Sequence, residues 1–287
     1  MFLKSPISKI ILDGREFLVK RDDLIDPYLA GNKYRKLYKL LETPSENLHT
    51  IISYGGTQSN AMLAIAAMCK HKGWQFIYYT KPLSKMIKEL TYGNFYDAID
   101  LGMQHIEIEE AQYRDFIASL RVNCSEMEYI VDQGGADRSA LEGLSVLAEE
   151  IREEQLDVSA VATPSGTGTT ALFLAVALPE LKVYTTPSVG DAAYLREQML
   201  ALHSKIPENL IILEPQRKYH FAKLYREFLD IYKKTKSAGI TFDLLYAPAL
   251  WLALLEQTSE KILYIHSGGV SGNRSMLERY KKKYGVV

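Results

Sequence analysis

TIISYGGTQSNAMLAIAAMCKH, residues 50–71, contains the unit from which most of the chain is built. Thr50 to Ser53 is a short β-rich run, a glycine-bearing loop follows, and Gln58 to His71 is an apolar run long enough for a helix. The same order recurs. Gln75 to Tyr79 precedes a helical run from Ser84 to Ile99, His105 to Ile108 precedes a helix near Gln112 to Val122, and Tyr129 to Val131 precedes Ser139 to Glu154. Further β-rich runs at Val158 to Ala162, Lys182 to Thr185, Leu210 to Leu213 and Ile262 to Ile265 each lead toward a helical segment. Strands alternating with helices of this length predict an α/β fold of parallel sheets covered on both faces, because every parallel connection needs a crossover. Ahead of the alternation, Ile10 to Leu12 and Glu16 to Lys20 flank Asp13-Gly14, a dipeptide at ease with positive φ, which predicts an opening β-hairpin.

At 287 residues the chain exceeds the usual size for one hydrophobic core, so one large domain or two packed ones are expected. Lys plus Arg number 34 and Asp plus Glu 35, a balance that offers no overall field to nucleic acid or an anionic membrane. A small-molecule partner is expected instead. Cys69 and Cys124 form no CxxC pair, which gives neither a disulfide framework nor a zinc signature and fits a reducing, cytoplasmic compartment. Cys69 sits in an apolar stretch and reads as a small buried hydrophobe. No apolar run reaches the roughly 18 residues of a membrane span and Met1 to Ile10 has no long apolar core, so neither export nor membrane insertion is expected. Lys281 to Lys283 reads as the solvated face of a terminal helix.

Parallel sheets bind ligands beyond the carboxyl ends of their strands, so the chemistry is expected in the loops that follow strands. In Ala30 to Leu37, Gly31 precedes Lys33 at the head of a helical pattern running through Leu41. Beside Arg35 and Lys36 this lysine fits a surface position as well as a reactive one, because an amine becomes nucleophilic only when desolvated or crowded by cations. In Ser53 to Asn60 the glycines permit close backbone approach and the helix-start amides can receive an anion. A capped tight loop would need one of Thr57, Gln58, Ser59 and Asn60, whereas all four are present. Thr163 to Thr170 supplies the glycines, hydroxyls and helix-start amides that a phosphate monoester needs. It lacks both the GK[ST] ending and GxGxxG, which disfavours a nucleotide-binding protein. Ile265 to Gly272 adds hydroxyls and amides, and His266, with no metal-like spacing, reads as structural.

Taken in order, these segments resemble the fold-type II pyridoxal-phosphate enzymes, tryptophan synthase β-like in architecture. Within that group they are similar to the family of 1-aminocyclopropane-1-carboxylate deaminase and D-cysteine desulfhydrase. The resemblance covers most of the chain. It rests on Lys20-Arg21-Asp22-Asp23-Leu24, on Gly31 to Leu37, on Gly55 to Asn60, on Gly134-Gly135 followed by Gly143 and Ala148 to Ile151, and on the two later loops. It implies pyridoxal 5'-phosphate as cofactor, held by Lys33 as a Schiff base, with Lys33 then moving the proton at Cα. It implies Asn60 at the cofactor's phenolic oxygen and Gly166, Thr167, Gly168 and Thr169 around its phosphate. The Ser59 hydroxyl, with the amides of Ser59, Asn60 and Ala61, would meet the substrate carboxylate, and Tyr246 would stand near the substrate. In a chain with 19 tyrosines, a packed core residue is the other reading of Tyr246. The resemblance also implies a small amino-acid substrate and a homodimer. Residues 1–37 and 138–287 would form a larger cofactor domain, with 38–137 a smaller inserted α/β domain.

One stretch departs from the family pattern. After Tyr246 the family continues with Glu or Thr and then Gly-Lys, whereas this chain reads Ala247-Pro248-Ala249. In the deaminase the glutamate is expected to keep the pyridine nitrogen protonated, which Ala247 cannot do. Ser267 could instead donate a hydrogen bond to an unprotonated nitrogen. That weaker electron sink suits loss of a good β leaving group such as thiolate. The expected reaction is therefore D-cysteine desulfhydrase-like β-elimination to keto acid, ammonia and sulfide, ahead of the deaminase's ring opening. A catalytically weakened module that binds the cofactor or an amino acid is a further alternative, motivated by Ala247 to Ala249.

Overall fold

In the computed structural model, which describes residues 4–285, the chain opens on the expected hairpin of β1 (Ile7–Leu12) and β2 (Arg15–Lys20). Asp13 and Gly14 turn it with φ of 53° and 76°, the paired positive values that match the twist of the two strands. The helical pattern expected through Leu41 is instead two short helices, α1 (Asn32–Lys36) and α2 (Tyr38–Glu42), broken at Leu37 with φ −90° and ψ 10°. Next come β3 (Thr50–Tyr54), α3 (Asn60–Lys72) and β4 (Gln75–Thr80), the unit on which the sequence was read. The single helix expected from Ser84 to Ile99 is wrong. It is split into α4 (Lys85–Lys88) and α5 (Asn94–Asp100), because Gly93 at φ 101° turns the chain against Gln58. The alternation then proceeds through β5 (Met103–Glu107), α6 (Glu110–Leu120), β6 (Glu128–Val131), α7 (Ala140–Glu153), β7 (Ala160–Ala162) and α8 (Thr169–Ala177). It ends with β8 (Lys182–Thr185), α9 (Ala192–Leu202), β9 (Leu210–Ile212), α10 (Arg226–Ser237), α11 (Ala247–Gln257), β10 (Ile262–Ile265) and α12 (Asn273–Tyr284).

The strands form two sheets. A four-stranded sheet runs β5-β4-β3-β6 and is parallel throughout. A six-stranded sheet runs β1-β2-β10-β7-β8-β9 and is parallel except for the opening hairpin. In the smaller sheet the chain steps outward from β3 to β4 and β5, then returns to the other side of β3 as β6. In the larger it steps from β7 to β8 and β9, then returns beside β7 as β10. Such reversals leave a crevice at the carboxyl ends of the strands where the order switches. The loops after β3, β7 and β10 are the three singled out in the sequence.

Period-2 alternation divides the core of the larger sheet between its faces. Ile262 and Tyr264 of β10 join Phe17, Phe242 and Trp251 on one side, while Leu263 and Ile265 join Leu144, Leu172 and Leu195 on the other. Trp251 stacks on Tyr264 at 4.3 Å and 4°, and Phe17 meets its edge at 5.1 Å. A third cluster packs α3 against β3 and β4 and contains the buried Cys69, whose thiol burial pushes up. Among the described residues no helix is long and apolar enough to cross a membrane. The core also holds charge. Arg35, fully buried, donates to Asp22 at 2.8 and 3.0 Å and to Glu150 at 2.6 and 3.0 Å, while Lys20 lies 2.8 Å from Glu150. Two cations and two carboxylates thus neutralise one another where β2, α1 and α7 meet.

Candidate active site

Gly31 brings the helix α1 to the loop after β10. At φ 61° its backbone lies so close to that loop that a Cβ would fall 2.1 Å from the Ser267 carbonyl carbon, and the Asn32 amide donates to Ser267 O at 3.3 Å. Only glycine fits this approach. Two residues on, Lys33 faces a cavity whose other walls include Asn60, Leu63, Ser267, Gly268 and Gly269. Its amine donates to Asn32 Oδ1 at 2.7 Å, and Asn32 Nδ2 donates to Thr170 Oγ1 at 3.3 Å in the first turn of α8. Burial draws the Lys33 amine down to about 8, against the opposing pull of Asp243. A lysine in that range keeps a usable fraction of neutral, nucleophilic amine near neutral pH.

The loop after β7 is built to receive an anion. From Gly166 to Ala171 no backbone amide has an acceptor among the described residues, and these amides open the nine-residue helix α8. Gly168 sits at φ 77°, where a Cβ would meet Met199 Cγ at 2.7 Å. The hydroxyls of Thr167 and Thr169 share a hydrogen bond of 2.8 Å. Lys36 stands beside this row: its ammonium donates to Gly134 O at 3.2 Å, and a Cβ on Gly134 would touch Thr167 Cγ2 at 3.4 Å. Lys36 is buried with no carboxylate partner among the described residues, and that burial, with Lys33 nearby, holds its amine well below the ordinary value. Unpaired donors and a buried amine with no carboxylate partner together suit a multiply charged anion, beside which the amine would be held protonated.

Asn60 opens α3, with Ser59 as its N-cap accepting from the Met62 amide at 3.2 Å. The amides of Asn60 and Ala61 have no acceptor among the described residues. Ala61 is otherwise buried in the core. Tyr246 packs against the β7 loop, since a Cβ on Gly166 would lie 3.2 Å from Tyr246 Cε1, and burial lifts its hydroxyl to about 12. Asp243 accepts from the amides of Leu245, Tyr246 and Ala247 at 2.9, 2.6 and 3.3 Å and so fixes the turn on which Tyr246 stands. Burial raises the Asp243 carboxyl to about 6, although those three amides and Lys33 pull it down. Ala247 itself is buried and presents no polar side chain. His266 is engaged at both nitrogens: Nδ1 accepts from the Gly268 amide at 3.1 Å and Nε2 meets Thr241 O at 2.9 Å.

Of the residues picked out by sequence, Lys33, Asn60 and Ser267 share the walls of one cavity. Ser59, Ala61, Tyr246 and the Gly166 to Thr169 loop lie outside those walls, the loop being tied to Lys33 through Asn32 and Thr170. The sequence reading passed over Asn32, Lys36 and Asp243. Lys36 had one available signal, its spacing of three from Lys33, which puts both on one helix face.

No family model matches the chain. A putative 1-aminocyclopropane-1-carboxylate deaminase of Thermotoga maritima is 27% identical over 286 residues, spanning 90% of each chain. A D-cysteine desulfhydrase of Salmonella newport is 27% identical over 288 residues, covering 89% of this chain and 87% of that one. The chain is thus similar over most of its length to proteins of both names. A crystal structure of an ACC deaminase homologue superposes with a TM-score of 0.76 at 22% identity, covering 96% of this chain and 94% of the other, so the fold of this chain is that of the fold-type II enzymes. The α/β architecture of mostly parallel sheets flanked by helices agrees with the expectation from sequence.

Proposed function

We propose that this protein is a pyridoxal 5'-phosphate-dependent lyase of a small amino acid, and that its reaction is β-elimination of the D-cysteine desulfhydrase kind. One observation carries the cofactor: a row of unpaired amides beside the uncompensated Lys36 is joined by two hydrogen bonds to a lysine amine drawn down to about 8. A phosphate dianion fits the first and an aldehyde fits the second. When bound, pyridoxal phosphate supplies an aldehyde that condenses with amines and a ring that takes up the electron pair released at the substrate's Cα.

The residues divide the remaining work. The amides from Gly166 to Thr169, the Thr167 and Thr169 hydroxyls and Lys36 would hold the phosphate. Lys33 would anchor the cofactor covalently and move the proton at Cα, a role its lowered pKa supports. Asn60 would donate to the phenolic oxygen. The Ser59 hydroxyl and the free amides of Asn60 and Ala61 would orient the substrate carboxylate. Tyr246 would cover the substrate side. Ser267, whose hydroxyl has no partner among the described residues, would donate to the pyridine nitrogen. Elimination is favoured over ring opening because Ala247, buried at the head of α11, brings no carboxylate to that nitrogen. The cofactor part is taken as residues 1–37 and 138–287, with 38–137 inserted, and the protein as a cytoplasmic homodimer.

The test is an assay of the cofactor-loaded protein against D-cysteine, L-cysteine, D-serine and 1-aminocyclopropane-1-carboxylate, reading keto acid and sulfide, with Lys33→Ala alongside. D-cysteine should be preferred, and Lys33→Ala should lose the visible absorbance of the bound cofactor and at least about 10³-fold in turnover. Preference for the cyclopropane substrate would overturn the elimination reading. Retained visible absorbance without turnover of any of the four would point to a binding module.

A further inference from the structure

Asn94 is the first residue of α5, in the segment that splits the expected helix, and it is almost fully buried. Its side-chain amide lies 3.2 Å from the backbone carbonyl of Gln58 and 2.8 Å from the side-chain amide of Asn60. The Gln58 carbonyl can only accept, so the Asn94 group facing it must be Nδ2. That same Nδ2 then has to meet an acceptor on Asn60, which turns Asn60 Oδ1 toward Asn94 and Asn60 Nδ2 away from it. Asn60 Nδ2 lies at Gly269, where a Cβ would come within 2.7 Å of it, and Asn60 and Gly269 both line the cavity of Lys33. Gly93 at φ 101° and the hydrogen bond from Tyr92 to the Glu278 carboxylate on α12 fix the segment that delivers Asn94. Asn94 Oδ1 is buried with no partner among the described residues, an arrangement that stability alone does not explain.

We infer that Asn94 is a positioning residue: it locks the Asn60 amide in the one orientation that presents an N–H donor to the cofactor's phenolic oxygen. The inference rests on the cofactor reading above and is tested without substrate. Protein loaded with pyridoxal phosphate is titrated with acid and base while its visible absorbance is followed, for the natural sequence, Asn60→Ala, Asn94→Ala and the double variant. A donor on the phenolic oxygen draws charge from it. Without that donor, the oxygen holds more tightly the proton it shares with the Lys33 nitrogen, and the titration midpoint rises.

Each single variant should raise the midpoint by about one pH unit, and the double variant should move it no further than Asn60→Ala alone. An unchanged midpoint in Asn94→Ala overturns the inference, and so do additive shifts in the double variant. If circular dichroism finds Asn94→Ala unfolded, Asn94→Ser, which keeps one hydroxyl donor, takes its place. A midpoint between those of the natural protein and Asn60→Ala then upholds the inference, and no shift overturns it. Absence of any visible band in the natural protein would overturn the cofactor reading and this inference with it, whereas an unmoved band sinks the inference alone.

Discussion

Lys36 carries an ammonium into the wall of the phosphate cradle with only a backbone carbonyl to receive it. In the cofactor-free protein that burial is uncompensated, and a dianion beside it would reverse the sign of its contribution. Lys36→Met keeps the length and removes the charge. It should weaken pyridoxal phosphate binding by about 10- to 100-fold, the usual worth of a hydrogen bond to a charged group. The cofactor-free variant should melt no lower than the natural protein, because an apolar side chain is at home in that wall. A surface lysine would change neither quantity, and a purely structural one would lower the melting temperature. That Lys33, Asn60 and Ser267 come together could be read in the sequence because each sits in, or within a few residues after, a glycine-bearing loop of recognisable order. Lys36, Asp243 and Asn94 could not be read there, since what matters in each is an interaction with a residue distant in sequence: a hydrogen bond to Gly134, the charge of Lys33 and a hydrogen bond to Asn60 respectively.

At the scale of elements, strand and helix positions could be read closely because apolar runs and period-2 alternation record burial directly. Lys182–Thr185 and Ile262–Ile265 have the bounds expected of them. The failures lie where tertiary contact overrides local pattern, as at Gly93, which turns against Gln58, and at Leu37 between α1 and α2. The head of α8 combines both kinds of information. Its glycines announce a close approach, but only the structure shows that Gly168 is pressed by Met199 and Leu195 from behind. Gly168→Ala would place a methyl 2.7 Å from Met199 Cγ at a φ of 77° that a side chain resists. A loss of about 1–3 kcal/mol in unfolding free energy is expected, together with weaker cofactor binding as the first turn of α8 shifts. Gly272→Ala is the control, with ordinary φ near −68° and nothing within 4 Å of the new methyl, and it should be neutral within about 0.5 kcal/mol in urea unfolding.

For the whole molecule, the two order reversals bring the loops after β3, β7 and β10 to one region, and the charged group of Lys20, Asp22, Arg35 and Glu150 ties β2, α1 and α7 behind it. These charges are interior, so their balance governs how stability depends on pH. Burial alone would raise the Glu150 carboxyl, yet Arg35 and Lys20 together hold it below its ordinary value. The unfolded chain therefore binds a proton at Glu150 before the folded protein does. The resulting stabilisation is complete above the ordinary glutamate value of about 4.3 and is lost as pH falls from there through the folded value. Asp243 has the opposite sign: its folded carboxyl is raised to about 6, so its contribution is complete below the ordinary aspartate range and is lost as pH rises through about 6. On acidification from pH 7 toward 5, Asp243 alone would raise the urea midpoint of the cofactor-free protein, whereas His266 and His105, held below the ordinary histidine value by burial, lower it over the same range, and below about 4 the loss at Glu150 makes the midpoint fall. Glu150→Gln should lower stability at pH 7 by about 3 kcal/mol, because it leaves Lys20 and Arg35 buried with one carboxylate between them, and it should flatten the acid limb. Asp243→Asn should make the midpoint at pH 5 lower, relative to that at pH 7, than it is in the natural protein, and leave the acid limb in place. An acid limb of unchanged steepness in Glu150→Gln would show that the buried charges do not set the low-pH boundary of the fold.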